Sequence, residues 1–171
     1  MASARQHTYR TEVVWTGNQG TGTSTYRAYG RDHEVSVAGL PTLLGSADRS
    51  FRGDAGRWNP ELMLLAALSQ CHLLSYLHVC AVNGVVVTAY TDHAGGTMEE
   101  TGDGGGHFTE VVLRPAVEVA SAAMADTARS LHGEANRLCF IASSVNFPVR
   151  HEPTVTVAGA EAEAEAEAVA P

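Results

Sequence analysis

Three side chains stand out as able to do covalent or redox chemistry near neutral pH: the thiols of Cys71, Cys80 and Cys139. A thiolate is a strong nucleophile, and it climbs a ladder from sulfenic acid to disulfide that no other side chain offers. Residues 1–10 lack the apolar core of an export signal, so the expected compartment is the reducing cytoplasm. Three cysteines are an odd number, and such a compartment does not favour a fixed disulfide framework. No Cys-x-x-Cys or Cys-x-x-His pair points to zinc. Each cysteine is therefore either a small buried residue or a working thiol, and position has to separate the two.

Cys71 sits in RWNPELMLLAALSQCH, with Ser69, Gln70, His72 and Ser75 around it in an otherwise apolar stretch. Polar groups set that deep need partners, so this turn is expected to line a pocket or an interface. Cys80 lies nine residues on, half a turn away on a helix, and faces the opposite side. It reads as structural. Cys139 follows a second helical segment in ANRLCFIASS, beside Ser143, Ser144 and Asn146. It is either a core residue or a thiol at a helix end with room to move, and spacing alone leaves both open.

Other candidates carry weaker signals. Glu61 falls in the first turn of the Cys71 helix, where a carboxylate also stabilises the helix dipole. Ten residues separate it from Cys71, too far for an extended side chain along one helix. His72 and His78 are six apart, the wrong spacing for a helical metal pair. A Cys71–His72 dyad would need adjacent helix residues to point the same way, and they diverge by about 100°. His33, His93 and His107 are scattered and form no ligand cluster.

The elements that must position these residues are largely readable. Asn59 is a good N-cap, Pro60 suits the first helical position, and Gly84 supplies the stop. The 24 residues between predict a helix about 36 Å long. Its segment LMLLAAL is apolar on every face, which predicts burial on all sides. A chain of 171 residues can hardly enclose such a helix alone, so a second subunit is expected. Ahead of it, residues 9–15, 23–29 and 33–37 read as an antiparallel meander. Residues 43–58 read as an irregular loop of functional length. Behind it, residues 85–91 and 107–119 read as strands, with residues 95–106 a mobile hairpin end between them. Residues 122–138 read as helix, a turn at Pro148 follows, and residues 154–157 close the domain. One domain over residues 1–158 is expected, with residues 159–171 a disordered Ala/Glu tail.

Composition excludes several functions. The formal charge is −8, all eleven basic residues are Arg, and these are scattered, so nucleic acid is not an expected partner. The apolar stretch from Leu62 to Val82 is broken by Ser69, Gln70, His72, Ser75 and His78, which argues against a membrane partner.

Taken in order, Asn59-Pro60-Glu61, the nine-residue gap, Cys71 in an Ala/Leu-rich helix, and Cys139 after a second helix resemble the OsmC/Ohr family of hydroperoxide reductases. Those names stand for osmotically inducible protein C and organic hydroperoxide resistance protein. The likeness runs from about Tyr9 to Val157, and RWNPELMLLAALSQCH with CFIASSVNFPVRHEPT is closest to the OsmC-like branch. The resemblance implies an α+β fold in which antiparallel sheets wrap a long buried central helix in an intertwined homodimer. It implies that Cys71 attacks an organic hydroperoxide or hydrogen peroxide and that Cys139 resolves the sulfenic acid as a disulfide. A thiol reductant, small or of the lipoyl dithiol type, then restores the pair, and no bound cofactor is needed. An Arg beside the sulfur, held by the residue matching Glu61, would favour the thiolate. In better-known members that Arg comes from the turn after the first strand. Here the turn is Gly17-Asn18-Gln19-Gly20, so Arg31 is the preferred substitute, with Arg27 and then Arg57 behind it. Two alternatives stay in view, the first of them favoured by that departure. One is a redox-sensing or hydrophobic-ligand-binding module on the same scaffold. The other, ranked last, is an acyl-transfer enzyme using Cys71 with a histidine.

Overall fold

The computed structural model describes residues 5–159; the tail from Ala160 onward lies outside them. The chain divides into two compact units between Leu64 and Leu65, inside its long helix.

In the first unit, β1 (Glu12–Trp15), β2 (His33–Ser36) and β3 (Leu43–Gly45) form an antiparallel sheet in that order. Residues 23–29 were expected to be a strand and are not. They make turns, closed by a bridge from Asn18 to Tyr29 and a bond from the Gly30 N–H to the Gly17 carbonyl. Gly17 is required there, because a Cβ would lie 2.1 Å from the Gly30 oxygen. Residues 43–58 are also more ordered than expected. They open with β3 and contain a 3₁₀ turn (Arg49–Phe51) capped by Asp48. The buried Ser46 hydroxyl donates to Asp32 and accepts from the Asp54 N–H, while Arg57 pairs with Asp32 and Asp54. Local polar bonds, rather than apolar burial, hold this segment.

Helix α1 (Pro60–Val82) begins as its caps predict: the Asn59 side chain accepts from the Leu62 N–H at 2.8 Å. It ends at Gly84, which adopts φ +71°, a conformation costly for any residue with a Cβ. By length and composition α1 would suffice to cross a bilayer. Its buried residues Leu68, His72, Tyr76, Val79 and Cys80 instead find protein partners in the second unit.

That unit holds two mixed sheets, β4-β7-β9 and β5-β6-β8. Their strands are β4 (Val87–Asp92), β5 (Gly95–Glu100), β6 (Gly106–Leu113), β7 (Pro115–Val119), β8 (Val149–His151) and β9 (Thr154–Val157). Each sheet has one antiparallel and one parallel pair, whereas antiparallel sheets were expected. Helix α2 (Ala125–Leu138) intervenes between β7 and both β8 and β9, and a crossover of this kind is what parallel pairing requires. The expected single strand over residues 107–119 is two strands in different sheets, broken at Arg114-Pro115. The expected mobile hairpin end over residues 95–106 is mostly β5, paired along β6, with only the turn around residues 101–105 free of strand. The core gathers Tyr76, Val79 and Cys80 of α1, Val117 and Val119 of β7, and Ala128, Leu131 and Ala135 of α2.

Candidate functional site

Two helices carry the thiols of interest. Cys71 is half-buried on α1, in its twelfth residue. Cys139 is the C-cap of α2, with extended backbone, and is fully buried. Although 68 residues apart in sequence, the two thiols lie close enough for Cys71 to bear on the Cys139 pKa, and neither is in a disulfide. The Ala142 N–H also donates to the Cys139 sulfur at 3.4 Å. Burial, and then the neighbouring Cys71 thiol, hold the Cys139 thiol above its ordinary pKa. At neutral pH Cys139 is therefore a protonated thiol.

Cys80 is separate. It lies in the apolar core against Tyr76, and burial raises its pKa. Its placement half a turn from Cys71 agrees with the periodicity of the helix.

The residues expected to support the thiolate fall in the first unit. Arg31 lies against the rings of Tyr26 and Tyr29, 4.3 and 4.2 Å from their centroids, and donates to both of their carbonyl oxygens. Two cation–π contacts with two hydrogen bonds fix a guanidinium in its own loop. Arg27 is exposed, and Arg57 is engaged by Asp32 and Asp54. Glu61 is half-buried, its Oε2 has no hydrogen-bond partner, and no ion pair joins it to Arg27 or Arg31. The structure thus brings the two cysteines together and does not bring Glu61 together with an arginine.

One set of residues was not foreseen. His72 of α1, His132 of α2 and His151 of β8 lie with ring centroids 5.4 to 6.1 Å apart. The His72 Nε2 and His132 Nδ1 atoms are 3.0 Å apart, a hydrogen bond between two fully buried rings. Tyr76 stacks on His132 at 3.9 Å, and its hydroxyl donates to the Ala128 carbonyl of α2. Burial is the main cause holding His72 down at about 4 and His132 at about 3, and each is lowered further by a neighbouring imidazole. Both rings are therefore neutral at pH 7, one donating and one accepting. Their outer nitrogens, His72 Nδ1 and His132 Nε2, have no partner, which costs about 1–3 kcal/mol for each unmet group. Among the described residues no group of three or more His, Cys, Asp or Glu is arranged to hold a metal ion. His72 is turned to His132, so it makes no dyad with Cys71. The sequence held no local sign of this cluster, since its members are 60 and 79 residues from His72.

A further anchor sits two residues before Cys71. The Ser69 hydroxyl donates to Asp92 of β4, and the other Asp92 oxygen accepts from the Arg114 N–H. This ties the Cys71 turn of the helix to the β6–β7 junction.

A family model described as OsmC-like protein matches residues 53–154, which contain both cysteines and the histidine cluster. No curated protein matches the sequence. Among solved structures, an OsmC-like protein of unknown function from Vibrio cholerae is similar at 29% identity and TM-score 0.77, over 87% of this chain and 100% of that one. An organic hydroperoxide resistance protein from Elizabethkingia anophelis is similar in fold at 17% identity and TM-score 0.62, over 90% and 99%. Another from Legionella pneumophila has 18% identity and TM-score 0.60, over 89% and 100%.

Proposed function

Because the chain belongs to the OsmC-like protein family, we propose that it is a thiol-dependent peroxidase that reduces organic hydroperoxides, and hydrogen peroxide, in oxidative-stress defence. The observation that carries this reading is the placement of Cys71 on α1 beside Cys139 at the C-cap of α2. The Cys71 thiolate attacks the distal oxygen of the hydroperoxide. The O–O bond breaks, the alkoxide leaves and takes a proton as alcohol, and Cys71 becomes a sulfenic acid. The Cys139 thiol condenses with it, releasing water and forming the disulfide. A small thiol or a lipoyl-type dithiol then reduces that bond by exchange and is itself oxidised. No bound cofactor is needed for this cycle.

The division of labour follows from environment. Cys71 is half-open to an incoming peroxide, while the buried Cys139 is kept protonated until a sulfenic acid forms beside it. A homodimer belongs to the same proposal. Leu74 and Leu77 of α1, neighbours one turn apart, are 65% and 39% exposed in the single chain, an apolar face that a second copy would cover.

A second reading, a redox sensor without turnover, is favoured by one observation: the Arg31 guanidinium is already engaged by Tyr26 and Tyr29. Steady-state consumption of cumene hydroperoxide, with dihydrolipoamide or dithiothreitol as reductant, separates the two. Sustained turnover supports the peroxidase. A single stoichiometric oxidation with no further consumption selects the sensor.

A further inference from the structure

Three side-chain pairings join α1 to α2, and they advance in opposite senses along the two helices. Cys71 lies beside Cys139, His72 bonds His132, and the Tyr76 hydroxyl bonds the Ala128 carbonyl. His72 directly follows Cys71, and His132 lies seven residues before Cys139, about two helical turns away on nearly the same face. The apolar contacts around them tolerate small slides and rotations. An imidazole–imidazole hydrogen bond does not, because it must lie close to both ring planes. The pair is wholly buried, neutral and walled by Tyr76 and His151, so it has no competing water. It therefore fixes the roll and register of α2 against α1 beside the two sulfurs.

We propose that His72 and His132 are positioning residues, whose mutual hydrogen bond holds Cys139 of α2 in reach of Cys71 of α1 and so sets how readily the two thiols close to a disulfide. Its use in resolving the Cys71 sulfenic acid rests on the peroxidase reading; the geometric claim does not. The closing step is balanced as Cys71–SOH plus Cys139–SH giving the disulfide and water. The first step, attack on peroxide, needs Cys71 alone. Loss of the pair thus slows closure and spares attack.

The test uses two readouts on the full chain for wild type, His132→Leu, His132→Asn and Tyr76→Phe. The first is the equilibrium between the dithiol and the Cys71–Cys139 disulfide in reduced and oxidised dithiothreitol, which needs no peroxide. The second is dimedone trapping of Cys71 sulfenic acid after one equivalent of cumene hydroperoxide. Misplacing reacting groups by about an ångström costs on the order of tenfold to a hundredfold. His132→Leu should therefore shift the equilibrium toward dithiol by about tenfold or more. It should also raise dimedone trapping, with the first-turnover rate of peroxide consumption unchanged. Asn places an amide atom where Nδ1 stood, so His132→Asn should recover most of the closure. Tyr76→Phe removes only the hydroxyl's bond to the Ala128 carbonyl, keeps the ring stacked on His132, and should leave the equilibrium near wild type. An unchanged equilibrium in His132→Leu overturns the proposal. So does an equal loss in Tyr76→Phe, or no recovery in His132→Asn. If the equilibrium shifts as stated but peroxide oxidises no Cys71 in wild type, the clamp stands and the peroxidase reading falls.

Discussion

The two units spend their polar groups in opposite ways. In the first, polar side chains order loops: Arg31 against two tyrosines and Arg57 across two carboxylates near the surface, and the buried Ser46 between Asp32 and Asp54. The sheet beside them is thinly covered, and Val13, Val14 and Trp15 of β1 are all exposed. In the second, Val111 and Leu113 of β6 and Val117 and Val119 of β7 are buried, and beside its surface ion pairs polar groups also lie inside the core: His72, His132, Tyr76 and the thiols of Cys80 and Cys139. The difference separates anchoring from chemistry. Surface pairs shape a loop at little gain in stability. Buried pairs are costly unless met, and they fix the geometry of whatever stands next to them.

Substitutions sharpen that contrast, and the largest effect belongs to the buried half. Cys71→Ser removes the nucleophile, and peroxide turnover should fall about a thousandfold or more in the dithiol-coupled assay. Turnover surviving in this variant would move the chemistry elsewhere. Leu68 is fully buried on α1, and Leu68→Ala should cost about 2–5 kcal/mol in urea unfolding. A cost under about 1 kcal/mol would mean that the helix is not packed as described.

The histidine pair predicts a pH response. An unfolded histidine titrates near 6.5, and His72 and His132 are held at about 4 and about 3 in the fold. Protons therefore bind the unfolded chain more readily. Stability is full above pH 6.5, falls as the pH drops through the interval to about 3, and levels off below it. The loss should be on the order of several kcal/mol, and His132→Asn should flatten part of it. Urea midpoints between pH 7 and 4 read it directly; identical slopes for wild type and His132→Asn would contradict the assignment.

The first unit should respond less. Arg31→Ala removes two cation–π contacts and two carbonyl contacts at a half-exposed site, for a loss of about 1 kcal/mol. Asn59→Ala removes the α1 cap for about the same. A loss from either as large as that of Leu68→Ala would erase the distinction between the two regions.

What the sequence revealed divides along the same line. Local rules fixed both ends of α1, because Asn59, Pro60 and Gly84 act on their own neighbours. They also marked Cys71 and Cys139, since helix position and polar surroundings are local facts. Contacts made across long separations were hidden. The strand over residues 107–119 looked continuous because Arg114-Pro115 is a break only when its halves join different sheets. β5 was missed because its glycines argue against a strand until β6 supplies a partner. Gly96 is one reason it fits: a Cβ there would press on Leu65, Phe108 and Val111. The histidine cluster was invisible because His72 was weighed against His78 on its own helix, while its partner came from α2.

The central claim is that Cys71 and Cys139 form one redox pair. Mass analysis after one equivalent of cumene hydroperoxide tests it most directly, in wild type, Cys71→Ser and Cys139→Ser. Wild type should lose two protons, with the new bond mapping to Cys71 and Cys139. Cys139→Ser should instead gain one oxygen on Cys71, and Cys71→Ser should stay unmodified. Thiols that stay reduced in wild type, or an oxidation that falls on Cys80 and bypasses Cys71, would contradict the account.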